Sequence, residues 1–195
     1  TAFIGREHEL RAILQQLQDP ACRLLTLAGP GGVGKTRLAL EAAHHISDTF
    51  EDGACFVSLV GTSATEHIIP AIADGLGFTF SGAHELKVQL FNHLKEKQTL
   101  LVLDNLEHLL DGIQLLDELL ERAPGVKILA TSREQLSLRA EWTFEVQGLP
   151  VPSTEMKHVE SNSAVALFIQ RARQITVGFT PTADDLASIL RICQL

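Results

Sequence analysis

Arg23-Leu24-Leu25-Thr26-Leu27-Ala28-Gly29-Pro30-Gly31-Gly32-Val33-Gly34-Lys35-Thr36 joins a short apolar run to a glycine-rich octet of the form G-x-x-x-x-G-K-[ST]. The run reads as a buried strand feeding straight into a phosphate-binding loop. Gly31, Gly32 and Gly34 carry no Cβ, so consecutive backbone N–H groups can curl around an anionic phosphate chain. Lys35 adds a point charge for β- and γ-phosphates, and Thr36 offers a hydroxyl to Mg²⁺. Pro30, Val33 and Arg37 complete the loop residues expected to meet a nucleotide. The helix that starts here points its positive dipole end at the same anion. Its apolar residues Leu38, Ala39, Ala42, Ala43 and Ile46 fall on one face. The stretch implies a nucleoside-triphosphate site at a strand-to-helix turn.

Outward from the loop, strands and helices alternate. Ala54–Leu59 reads as a second strand, and residues 66–75 and 84–95 as helices. Thr99–Asp104 is a continuous apolar run ending in an acid. A helix over 112–122 buries Ile113, Leu115, Leu116, Leu119 and Leu120, and strands follow over 126–131 and 142–146. Five strands separated by helices predict an α/β fold, a five-stranded parallel sheet flanked by helices on both faces. Ligands of such sheets collect at the carboxyl ends of the strands, where the loop, Asp104 and Thr131-Ser132-Arg133 would lie. From Ser161 the pattern is helical only. Val165, Leu167, Phe168, Ala172 and Ile175 form one stripe, and Thr182 with Asp185 makes an N-cap pair. Two prolines beside a glycine in Gly148–Thr154 set the boundary. Residues 1–150 are expected to be the nucleotide-binding domain, and 151–195 the start of a small helical subdomain.

The chain has 195 residues, 45% hydrophobic and 21% charged, enough for one well-packed domain with a small appendage. No apolar run approaches the ~18 residues of a membrane span, and no signal peptide is visible. The formal net charge of −8 repels a phosphate backbone, so direct nucleic-acid binding by this segment is not expected. Cys22, Cys55 and Cys193 are odd in number and lie in apolar surroundings, which suits reduced, buried thiols in the cytoplasm. The eight histidines show no metal-ligand spacing. The chain begins at Thr1, its one methionine is Met156, and its last residues stop inside an uncapped apolar pattern. A piece of a longer protein is therefore expected.

Four residues carry the expected chemistry. A carboxylate at the tip of a buried strand needs a partner, and a hydrated Mg²⁺ beside Asp104 supplies one; the alternative is a capping or turn acid. The following residue, Asn105, holds an amide that cannot accept a proton at neutral pH. Glu107 is then the nearest base for an attacking water, or else a solvated or capping glutamate. Slow hydrolysis is the physical expectation. Arg133, just past the fourth strand, could reach a γ-phosphate and tell triphosphate from diphosphate, or pair with Glu134, or face water. Arg6 heads an amphipathic helix carrying Leu10, Ile13, Leu14 and Leu17.

Four blocks now stand in order: Phe3-Ile4-Gly5-Arg6-Glu7-x-Glu9-Leu10, Gly29 to Thr36, Leu101-Val102-Leu103-Asp104-Asn105-x-Glu107-His108, and Leu129-Ala130-Thr131-Ser132-Arg133-Glu134. Together they resemble the nucleotide-binding core of STAND ATPases, the NB-ARC-like module of bacterial LuxR-type and SARP-type transcriptional regulators. Leu149-Pro150-Val151-Pro152 ahead of Ala164–Ala172 is similar to the same family. The resemblance implies that Ile4, Gly5 and Arg6 clasp adenine through their backbone, and that the ligands are ATP or ADP with Mg²⁺. It also implies a switch in which ADP holds a resting state while ATP permits opening and self-association of the full-length protein. Two departures matter. Asn105 stands where relatives carry a second acid. The family's Gly-Leu-Pro block follows a stretch like Ile192–Leu195, so Gly148-Leu149-Pro150 is not that block. The leading reading is a slow ATPase switch, and the alternative a non-hydrolysing, ADP-bound interaction module. A small-molecule kinase lacks an arginine-rich lid here, and a GTPase lacks its Asn-Lys-x-Asp motif.

Overall fold

The computed structural model describes residues 3–62, 64–82, 84–109, 112–150 and 162–194. It divides into two compact units, His8–Gln147 and a second formed by Thr1–Glu7 with Gly148–Leu195.

The larger unit is built on five strands: β1 (Leu24–Ala28), β2 (Ala54–Ser58), β3 (Leu100–Asp104), β4 (Lys127–Ser132) and β5 (Glu141–Glu145). They lie in the order β2-β3-β4-β1-β5, every neighbouring pair parallel. The helices are α1 (Glu7–Gln18), α2 (Lys35–Ile46), α3 (Ile68–Gly75), α4 (Leu86–Leu94) and α5 (Leu115–Arg122). β1 and β3 are buried at every residue, as the continuous apolar runs require of strands paired on both sides and covered on both faces. The edge strands differ. β2 buries only Val57, and β5 buries none of its five residues.

Register sets the site. Ala28 pairs with Ser132 and with Glu145, Leu103 with Ala130, and Ser58 with Asp104. The carboxyl ends therefore finish level, and β4 stands between the strand that feeds the loop and the strand that ends in Asp104.

Element limits shift where local chemistry intervenes. Arg23 is not a strand residue. Its guanidinium donates to the carbonyls of Ala123 and Val126, each at 2.8 Å, capping the end of α5. Helix α5 starts at Leu115 because Gly112, with φ +114°, is in a conformation no helix continues. Residues 65–67 form a 3-10 turn ahead of α3, and Pro70 sits in that helix's first turn, where no N–H is needed. Of the three thiols only Cys22 is fully buried, and burial pushes it up to about 11; Cys55 and Cys193 are half-buried. No helix among the described residues is long and apolar enough to cross a membrane.

The smaller unit holds α6 (Ser163–Ile175) and α7 (Ala183–Cys193). Asn162 caps α6 by accepting from Ala164 N and Val165 N, while its amide donates to Pro150 O at 3.0 Å. Thr182 and Asp185 form the reciprocal capping box foreseen for α7. Val165, Ile169 and Ile189 make the small core, whereas Ile175, expected in the stripe, is 86% exposed at the helix end. The boundary stretch Val151–Thr154, with Met156, His158 and Ser161, lies outside the described residues.

Candidate functional site

The glycine-rich loop leaves β1 at Ala28 and becomes α2 at Lys35. Gly34 is the N-cap, with φ +95° and ψ 22°, a left-handed conformation that any Cβ would strain. Two other glycines separate structural from functional need. A Cβ on Gly29 would lie 2.3 Å from the Val146 carbonyl oxygen, so the protein itself requires glycine there. Gly31 has no positive φ and would place its Cβ in open space, so nothing in the chain demands glycine. Its bare backbone lines the cleft. Lys35 is buried, its ammonium donating to Gly29 O at 2.7 Å and Pro30 O at 3.0 Å, which leaves one of its three protons for a further acceptor.

Across the cleft, Asp104 is almost fully buried at the tip of β3. Its Oδ1 accepts from the Thr36 hydroxyl at 2.7 Å and from the Thr131 hydroxyl at 2.6 Å. Thr131 Oγ1 in turn accepts from Asn105 N at 3.0 Å. Thr131 is the hub that sequence reading left out of the candidate set. The signal was a hydroxyl residue at the closed end of the apolar run Val126–Ala130, and β4's place between β1 and β3 makes it a bridge.

Asn105 adopts φ 73° and ψ 52°, a left-handed conformation that asparagine tolerates better than most residues. The chain then turns through the 3-10 segment Leu106–His108. Leu106 and Leu109 are buried and anchor this turn, and Glu107 lies between them. Glu107 Oε1 accepts from Arg133 Nε at 3.0 Å, so the partner of Arg133 is Glu107 and not its neighbour Glu134. The Glu107 side chain is 9% exposed and that of Arg133 62%. Glu107 Oε2 is buried with no hydrogen-bond partner among the described residues.

One cleft of about 400 Å³ gathers these groups, with Asp104 bonded to Thr36 and Thr131 of its lining. Gly31, Gly32, Gly34, Lys35, Thr36 and Arg37 line its loop side; Asn105, Glu107, Thr131 and Arg133 line the other. Pro30 is exposed and Val33 half-buried; Arg37 pairs with Glu41 at 3.3 Å. Ile4, Gly5 and Arg6 belong to the smaller unit, where Gly5, at φ +71°, packs against Ser163 so closely that a Cβ would collide with its side chain. Arg6 is buried and Ile4 half-buried.

The NB-ARC domain family matches residues 6–146, the span that holds every element of this cleft. The chain belongs to that family. An uncharacterized protein of Mycobacterium tuberculosis is 33% identical over 195 residues, covering all of this chain and 47% of that protein. A second protein of the same organism, named an HTH-type transcriptional regulator, is 35% identical over 186 residues, or 95% of this chain and 19% of its own length. The chain thus spans less than half the length of these relatives. Among solved structures, Cdc6p of Pyrobaculum aerophilum aligns with a TM-score of 0.66 at 18% identity, over 89% of this chain and 52% of that one. A STAND protein with a tetratricopeptide repeat sensor from Pyrococcus horikoshii aligns at 0.55 with 17% identity, over 99% and 28%. These two likenesses show the shared fold.

The NB-ARC cleft suits the ligands its loop implies. Gly31 lines the cleft with open space where a Cβ would lie, and Lys35 has one proton beyond its two bonds to loop carbonyls. Thr36 and Asp104 bring a hydroxyl and a carboxylate oxygen together, hard donors of the kind Mg²⁺ takes while keeping several waters.

Proposed function

We propose that this NB-ARC domain binds ATP and ADP with Mg²⁺ and hydrolyses ATP slowly, as the switch of a larger transcriptional regulator. The observation that carries the reading is the single cleft joining the glycine loop, the Thr36–Asp104 pair and the Glu107–Arg133 pair. Gly31, Gly32, Val33 and Gly34 offer backbone N–H groups to the phosphates, and Lys35 neutralises their charge. Thr36 and Asp104 would hold Mg²⁺, which supplies charge neutralisation on the phosphate oxygens when bound. Arg133 reads the γ-phosphate. The backbone of Ile4, Gly5 and Arg6 holds adenine, and Pro30 and Arg37 border the phosphates.

Hydrolysis forms a bond from water oxygen to the γ-phosphorus and breaks the bond from that phosphorus to the β–γ bridging oxygen. Glu107 takes the proton from water, and ADP leaves with the electron pair. The reaction is slow for two reasons: Asn105 cannot act as a base, and Glu107 is engaged by Arg133. We assign residues 1–150 to the nucleotide-binding domain and 151–195 to an ARC-like helical one. The regulatory setting rests on the relative named an HTH-type transcriptional regulator. In that setting the full-length protein is cytoplasmic and self-associates in its ATP state, with no nucleic-acid contact from this acidic segment.

Phosphate release tests the reading. Slow turnover that disappears in Glu107→Gln and survives in Asn105→Ala supports it. Turnover untouched by Glu107→Gln contradicts the assignment of the base. Tight ADP binding with no turnover replaces it with a non-hydrolysing interaction module, a reading the engaged Glu107 favours.

A further inference from the structure

We infer that the Arg133–Glu107 ion pair is a latch that the γ-phosphate opens, so that Arg133 positions the base as well as reading the nucleotide. The inference rests on the ATP-binding reading above. In this structure Glu107 turns Oε1 to Arg133, accepting from its Nε at 3.0 Å, while Oε2 is buried and finds no hydrogen-bond partner among the described residues. Its accessible oxygen is therefore aimed at the guanidinium, and a base must be aimed at the proton it takes. The turn that carries Glu107 is anchored by the buried Leu106 and Leu109 on either side, so a change of side-chain partner needs no backbone movement.

Arg133 is the exposed member. It is 62% exposed, so its bond to Glu107 is a weak, water-screened ion pair. A γ-phosphate carries more charge than a carboxylate and can accept two of the guanidinium's donors at once. One guanidinium facing two anions on the walls of one cleft must divide between them. ATP draws it toward phosphate and frees Oε1; ADP, lacking that group, leaves the pair closed. By linkage, whatever holds Arg133 on Glu107 lowers the affinity for ATP and spares that for ADP.

The test measures affinities for ADP and for a non-hydrolysable ATP analogue, each with Mg²⁺, in the intact protein. Wild type, Glu107→Gln, Arg133→Ala and the double variant form a cycle. A latch predicts that Glu107→Gln tightens the analogue about fivefold or more while ADP stays unchanged. The gain must vanish in the Arg133→Ala background. A gain that persists there is plain charge repulsion between Glu107 and phosphate, and overturns the latch. An unchanged ratio overturns it too. ADP affinity is the folding control, and Glu107→Ala takes the place of Glu107→Gln should that variant fail to bind ADP. Wild type that binds neither ligand sinks the ATP-binding reading itself, a different failure from an unmoved ratio.

Discussion

Asp104 and Glu107 are acids three residues apart on the same rim, and they are held in opposite ways. Asp104 sits at a junction of regular elements: a hydroxyl from the first turn of α2 and a hydroxyl from β4 converge on one oxygen. That arrangement follows from the strand order and from the helix that the loop after β1 leads into. Glu107 meets one exposed guanidinium, and among the described residues its second oxygen has no partner. The difference separates a fixed part of the cleft from an adjustable one. Strand ends supply rigid donors, whereas a turn facing a surface arginine supplies a group that a ligand can rearrange.

Removing the fixed acid should have the largest effect on the fold. Asp104→Ala leaves the Thr36 and Thr131 hydroxyls without their acceptor and should lower unfolding free energy by about 2 kcal/mol in denaturant melts. A loss near zero would mean that the network is not structural. Next comes its hub. Thr131→Val leaves the Asn105 N–H without a partner and should cost about 1 kcal/mol, with Asp104 still bonded to Thr36. Equal losses for the two variants would deny Asp104 its central place.

Gly31→Ala should move stability the other way, a gain of roughly 0.5 kcal/mol, because its backbone and surroundings accept a Cβ. The same variant should bind nucleotide more weakly, as titration would show. Destabilisation together with intact binding would make Gly31 a structural glycine like Gly29. The smallest change is expected on the adjustable side. Arg133→Ala should leave stability within about 0.5 kcal/mol, since its ion pair is open to water. A loss as large as that of Asp104→Ala would erase the contrast between the two acids.

The sequence made the fixed part readable and left the adjustable part open. Leu24–Thr36 announces strand, loop and helix in one run, and the apolar Leu100–Leu103 points to Asp104 as a buried terminal acid. Both signals are local, so periodicity and residue type suffice. The Glu107–Arg133 pair spans 26 residues, and no local pattern tells Arg133 to prefer Glu107 over Glu134. Thr131 was hidden for a related reason. A threonine ending an apolar strand is ordinary, and becomes a hub only when β4 lies between β1 and β3. The edge strands were readable in position and not in burial, because the lack of an outer neighbour on β2 and β5 is a property of the sheet order.

The central claim is that this cleft holds an adenine nucleotide through its loop and Mg²⁺, and it is tested most directly by calorimetric titration of ATP and ADP in the presence of Mg²⁺ beside Lys35→Ala. The wild type should bind both nucleotides saturably, and the variant should lose at least about a hundredfold in affinity, roughly 2.7 kcal/mol. Binding that is indifferent to Lys35, or absent from the intact protein, would contradict it.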